Sequence, residues 1–171
     1  VVVMEKFDPE LALATIEQYR VTDSQWVPTH FVRMLKLDPE LPTPLPSHPG
    51  DAGADLFARI DFVLEPGEWQ TVPTGIAVAI PDGHVGLVAP RSGMAVRNAI
   101  SVVNGPGVID AGYRGEIKAV IINHGSESVE FQRGDRIAQL LVLEAPDWEF
   151  FVVDHLGDSR RGAGGFGSTG A

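Results

Sequence analysis

From Gly50 onward, short apolar runs recur at intervals of about ten residues, and turn-forming clusters punctuate them. The runs are DFVL (61–64), WQTV (69–72), GIAVAI (75–80), VGLVA (85–89), AISVV (99–103), EIKAVIIN (116–123), VEF (129–131) and RIAQLLVL (136–143). Between them stand Glu65-Pro66-Gly67, Pro81-Asp82-Gly83, His124-Gly125-Ser126 and Gln132-Arg133-Gly134-Asp135. Such spacing is the signature of an all-β sandwich or barrel, with few helices. DWEFFVV, residues 147–153, reads as one more strand before a glycine-rich end.

The part before Gly50 obeys different rules. FDPELALATIEQYR predicts a helix over about 8–20: Asp8 caps it, Pro9 suits its first turn, and Leu11, Leu13, Ile16 and Tyr19 supply apolar contacts. His30 to Leu37 fits a strand. Asp38 to Gly50 carries five prolines in thirteen residues, which rules out regular structure and leaves an extended arm. Three pieces are therefore expected: an N-terminal extension (1–30), a β domain (31–154) and a flexible C-terminal segment (155–171).

Composition limits the partners. At 171 residues and 44% hydrophobic content, the chain is sized for one domain with a real core. A formal net charge of −10 opposes general binding to nucleic acid or anionic membranes. The absence of cysteine excludes disulfides and thiolate metal sites. No apolar run approaches a membrane span, and no basic start precedes an apolar stretch, so a cytoplasmic location is expected.

Several polar residues remain once core and turns are assigned. Arg91, Ser92 and Gly93 offer a guanidinium, a hydroxyl and an accessible backbone N–H, which suits either a phosphate grip or an ordinary turn. In NGPGVIDAGYRGEIK, Asn104 to Lys118, glycines 105, 107 and 112 bend a hairpin whose backbone groups can read the edge of a base. There Asp110 either orients a water or caps a turn, and Tyr113 either meets a ligand or packs on a neighbour. Asp55 in DAGADLFA caps a turn or faces a metal-bound ligand. RRGAGGFGSTG, Arg160 to Gly170, is a frayed end or a strap that orders on ligand.

Taken together, DAGADLFA, APRSG, NGPGVIDAGYRGEIK, RGDRIAQL and RGAGGFGSTG resemble, in order, the five motifs of the trimeric dUTP diphosphatase (dUTPase) family, over residues 51–170. That resemblance implies a jelly-roll-like β fold, a homotrimer with shared active sites and Mg²⁺-dependent cleavage of dUTP to dUMP and pyrophosphate. Such an activity keeps uracil out of DNA and supplies dUMP for dTMP synthesis. By family similarity Asp110 positions the attacking water. Arg91, Ser92, Gly93 and Gln139 contact the phosphates, and Asp55 approaches, through water, a metal held mainly by the triphosphate. Asn104, Val108 and Ile109 belong to the uracil-reading hairpin, Tyr113 lies under the deoxyribose, and Lys118 is a substrate contact. In the last motif, Arg161, Gly167, Ser168 and Thr169 reach the phosphates and Phe166 stacks over uracil, closing a lid.

Two other activities are weighed against this one. The catalytic glutamate of the similar dCTP deaminases would fall at Val120, where no proton transfer is possible. A non-hydrolysing nucleotide-binding or scaffold trimer would have no need of Asp110. Residues 1–36 lie outside the resemblance and are similar instead to a short internal piece of an adenylate-forming acyl-CoA ligase, without a nucleotide motif.

Overall fold

The computed structural model describes residues 33–160, together with Gln18 and residues 162–163. Apart from Gln18, the helix expected over 8–20 lies outside the described residues, as does most of the segment 1–36. In chain order the described elements are β1 (Arg33–Lys36), β2 (Gly53–Phe57), β3 (Phe62–Leu64), β4 (Trp69–Ala79) and β5 (His84–Ala89). They continue with α1 (Ser92–Asn98), β6 (Ile100–Val102), β7 (Gly107–Ile109), β8 (Glu116–Asn123), β9 (Val129–Phe131) and β10 (Arg136–Glu144).

The strands form two four-stranded sheets, β1-β4-β8-β6 and β2-β10-β5-β7, and a two-stranded ribbon, β3-β9. Every pairing is antiparallel. One core gathers Ile76, Val78, Ile117 and Ile121 from the first sheet with Leu56, Val88, Ile137 and Leu140 from the second. Period-two alternation explains this division: along β8, Ile117, Ala119 and Ile121 are buried while Lys118 between them is exposed. Each fully buried isoleucine contributes about 1.5–3 kcal/mol relative to exposure. The ribbon closes one side through Phe62 and Phe131, whose rings stack at 4.4 Å.

Asn123 ends β8 and is fully buried. Its Nδ2 donates to Leu64 O at 2.9 Å and Glu127 O at 2.8 Å, and its Oδ1 accepts from Gly125 N at 2.8 Å. One side chain thus satisfies three backbone groups and ties the ribbon's first strand to the turn after β8.

Four local expectations change in the folded chain. WQTV and GIAVAI form a single strand, because a register shift between Pro73 and Ala77 absorbs the proline that would otherwise break the ladder. Gly75 turns within that irregularity at φ +72. GADLF is a strand that its own pattern does not announce; it exists by pairing with β10, about eighty positions away. The segment after Pro90 is a short helix, α1, which ends at Ala99 in the left-handed region. DWEFFVV is not a strand, since residues 147–153 pair with no described edge, and Phe150 and Phe151 are exposed. The strand expected from His30 to Leu37 is described over Arg33–Lys36.

The proline-rich arm has no regular structure, as its composition requires, yet it is pinned. Leu41 is buried in it, Lys36 Nζ donates to Leu41 O at 2.6 Å, and Arg133 Nη2 meets Asp38 at 2.8 Å and Glu40 at 3.1 Å. The arm thereby delivers Ser47 and Asp51 to the rim of a depression on the second sheet. Among the described residues no helix is long and apolar enough to cross a membrane.

Candidate active site

The second sheet places two groups of polar residues on either side of β5. Its order, β2-β10-β5-β7, puts β7 against one edge of β5 and β10 with β2 against the other. On the β7 side, Val88 pairs with Gly107 and Gly86 with Ile109. On the other side, Gln139 of β10 lies in register with both Ala89 of β5 and Asp55 of β2.

The β7 side holds a depression of about 300 Å³, lined by Asn104, Val108, Ile109, Asp110, Tyr113 and Lys118 together with Glu116 and Ile117. All six candidates from the hairpin therefore converge. Gly107 matters by what it lacks: a Cβ there would lie 3.2 Å from Asn104 Nδ2, so glycine leaves room for the amide. The loop from Asp110 to β8 is held by its own atoms. Tyr113 N donates to Asp110 O at 3.0 Å, Tyr113 Oη to Glu116 O at 3.0 Å, and Arg114 Nη1 to the carbonyls of Ala111 and Tyr113 at 2.5 and 2.7 Å. These bonds fix the loop while leaving the Asp110 carboxylate exposed at the mouth.

Glu116, absent from the motif reading as a site residue, is committed elsewhere. Its Oε1 accepts from Gly75 N at 2.9 Å and from Arg59 Nη1 at 3.4 Å. The start of β8 is anchored to the β4 irregularity by that carboxylate, which is therefore not a spare acid in the depression. Val120 lies outside the depression's lining and pairs with Thr71.

The other side holds a depression of about 580 Å³ with a different chemistry, lined by Asp55, Arg91, Ser92, Gly93, Arg97, Arg136 and Gln139, by Ser47 of the arm and by Asp51 just after it. Arg91 Nε donates to Asp55 Oδ1 at 2.7 Å and Nη2 to Oδ2 at 3.4 Å, a two-point approach that fixes the guanidinium plane. Arg136 Nη1 donates to Oδ2 of the same carboxylate at 3.3 Å. Gln139 Nε2 donates to Pro90 O at 3.0 Å, holding the chain where β5 passes into α1. Arg91 occupies the residue before α1, and among the described residues no side chain caps that helix start. Three arginines and two aspartates leave this wall cationic on a strongly acidic protein.

Of the candidates named from the motifs, Asp55, Arg91, Ser92, Gly93 and Gln139 meet here. They share no lining residue with the hairpin group. Arg161, Phe166, Gly167, Ser168 and Thr169 lie outside the described residues. Arg97 and Arg136 were not legible as site residues. One is an exposed arginine on a helix and the other begins a strand, and the pairing of β10 with β5 and β2 brings the second to the wall of the first.

A family model described as dUTPase matches residues 40–170. The chain belongs to the dUTPase family. The deoxyuridine 5'-triphosphate nucleotidohydrolase of Thermobifida fusca is 56% identical over 140 residues, covering 81% of this chain and 78% of that protein. That of Mycolicibacterium gilvum is 54% identical over 143 residues, covering 80% and 93%. Among solved structures, a mutant dUTPase of Staphylococcus bacteriophage 80alpha with dUpNHpp has TM-score 0.77 at 30% identity, covering 82% of this chain and 99% of its own. A mutant dUTPase of phage phi11 of S. aureus, described for the coordination of a structural Mg(II) ion, has TM-score 0.67 at 28% identity, covering 73% and 97%.

The Mg²⁺ that the dUTPase family implies would find few protein ligands among the described residues. Among the described residues no three His, Cys, Asp or Glu side chains gather as a metal cage, and both oxygens of Asp55 are engaged by arginines. Such a donor set fits Mg²⁺ in its usual nucleotide-bound mode, where phosphate oxygens and waters supply most ligands and protein carboxylates act around them. Asp55 is the carboxylate that joins Arg91 and Arg136 on the arginine wall.

Proposed function

We propose that this chain is a dUTP diphosphatase that hydrolyses dUTP to dUMP and pyrophosphate with Asp110 positioning the attacking water. What supports the reading most is one exposed carboxylate, Asp110, in the lining of a depression that also holds Asn104, Tyr113 and Lys118. The names of the relatives identify the nucleotide.

Uracil is read by the hairpin. Backbone groups from Val108 to Ile117 and the Asn104 amide present a fixed donor and acceptor pattern, which cytosine leaves partly unpaired in a desolvated pocket. Thymine has the same hydrogen-bonding edge, so its C5 methyl is excluded by shape. The Tyr113 ring lies under the deoxyribose and leaves no space for a 2'-hydroxyl. Lys118, exposed beside it on β8, contacts the substrate.

Asp110 accepts a hydrogen bond from the water and takes its proton as the oxygen attacks the α-phosphorus. The bond from that phosphorus to the bridging oxygen breaks, and the electron pair leaves with pyrophosphate. Arg91, Ser92, Gly93 and Gln139 hold the phosphate chain in line. Mg²⁺, when bound with the triphosphate, offsets its charge and polarises its oxygens. Asp55 keeps Arg91 and Arg136 oriented and would hold the hydrated ion through water.

From the membership in the dUTPase family we infer a homotrimer with shared active sites, in which one subunit's hairpin faces a neighbour's arginine wall. The C-terminal segment, with Arg161, Phe166, Gly167, Ser168 and Thr169, then closes over the nucleotide as a lid. The decisive measurement is pyrophosphate release from dUTP, dCTP, UTP and dTTP with and without Mg²⁺. Selective, metal-dependent turnover of dUTP is expected, and equal turnover of dCTP would overturn the reading.

A further inference from the structure

The larger depression is lined by three guanidinium groups, two of which the chain has already committed. Arg91 and Arg136 both donate to Asp55, whereas Arg97 makes no ion pair among the described residues and is exposed. Arg97 stands in the last turn of α1, where a cation ordinarily serves the helix's negative end. Its guanidinium lies instead one turn back: a Cβ on Gly93 would come within 3.2 Å of Nη1 and 3.3 Å of Nη2. Helical side chains lean toward the N-terminus and residues four apart share a face, so this is the natural course of an arginine over a bare glycine. The charge is thereby set on the same wall as Arg91, Ser92 and Gln139.

We propose that Arg97 binds the pyrophosphate portion of the substrate and favours its departure. The proposal rests on dUTP hydrolysis at this site. Asp110 lines the nucleoside depression, so dUTP hydrolysis there puts the α-phosphorus beside it, and the arginine wall of the facing subunit takes the two phosphates beyond. Cleavage of the α-phosphorus to bridging-oxygen bond leaves an electron pair and negative charge on the departing pyrophosphate. A donor already neutralised by Asp55 responds less to that charge than one with no partner. Interactions that strengthen as charge develops lower the barrier as well as improve binding.

The test compares the unaltered chain with Arg97→Gln and Arg97→Lys, in Mg²⁺, by three readouts: inhibition by pyrophosphate, inhibition by dUMP, and kcat/KM for dUTP. In Arg97→Gln, pyrophosphate inhibition is expected to weaken about tenfold, equivalent to about 1.4 kcal/mol, and kcat/KM to fall by a similar factor. Inhibition by dUMP stays as it was. Arg97→Lys keeps the charge without the planar fork and falls between the two. Unchanged pyrophosphate inhibition in Arg97→Gln overturns the proposal, and so does an equal loss of dUMP and pyrophosphate inhibition, which marks general damage to the site. An unaltered chain that releases no pyrophosphate from dUTP overturns the dUTP reading itself; failure of Arg97 alone leaves that reading standing.

Discussion

The ring of Tyr113 rests against the bare backbone of Gly115: a Cβ at Gly115 would lie 2.7 Å from Tyr113 Cζ, closer than any side chain tolerates. The glycine thus sets where the Tyr113 ring lies in the wall of the hairpin depression. Gly115→Ala is expected to push the ring outward and reduce the preference for dUTP over UTP about tenfold, read as the ratio of kcat/KM values. Thermal stability should hardly move, since Gly115 is exposed. A variant with unaltered sugar preference would show that Tyr113 does not police the 2' position.

Asp110 is exposed and its neighbours are held by the loop's own hydrogen bonds, so its removal should leave the fold intact. Asp110→Asn is expected to lower kcat by about 10²- to 10⁴-fold, the usual worth of a positioned base. Affinity for a nonhydrolysable dUTP analogue should be retained, as measured by calorimetry. Loss of binding in step with turnover would instead give Asp110 a binding role.

Asp55 holds two arginines at once and its side chain is only 14% exposed. Asp55→Ala leaves both guanidiniums unpaired on a partly enclosed wall, with an expected loss of about 1–3 kcal/mol in unfolding free energy. Activity should fall further than stability does, because Arg91 loses the two contacts that fix its plane. Full activity in this variant would contradict the placement of the phosphates at that wall.

The largest stability effect is expected at Asn123. Asn123→Leu removes the partners of Leu64 O, Glu127 O and Gly125 N in a fully buried site, at a cost of about 3 kcal/mol or more. Denaturant melts report it directly. A change under about 1 kcal/mol would mean that water reaches those groups.

Chelation separates the metal's roles. With no three-residue cage among the described residues, removal of Mg²⁺ by a chelator is expected to stop turnover of dUTP while leaving the melting temperature of the nucleotide-free protein unchanged. A drop in melting temperature on chelation would point to a structural metal site.

Most strands were legible because their signal is local. Alternation along Glu116–Asn123 and the turn residues around Pro81-Asp82-Gly83 specify extended chain without reference to anything distant. Where a strand depends on its partner, local reading fails in both directions. GADLF lacks alternation and becomes β2 by lying against β10, while DWEFFVV has strand composition but no described edge to join. Pro73 looked like a strand end and is accommodated because the register shifts beside it.

The sequence by itself determined the chemical inventory and its grouping into motifs: a glycine-bent hairpin bearing Asn104, Asp110 and Tyr113, and an arginine followed by a hydroxyl and a glycine after a buried strand. Those properties are carried by residue type and close spacing. Tertiary structure alone decided which motifs share a wall. Asp55 meets Arg91 across 36 positions and Arg136 across 81, because β10 runs between β2 and β5 and puts Gln139 in register with both. The same pairing assigned Arg136 to that wall, which Arg97 reaches from α1, while the β4–β8 pairing of the other sheet sent the Glu116 carboxylate to Gly75 and Arg59. Ion pairs across sheets follow from strand order and register, and no local stretch of sequence encodes either.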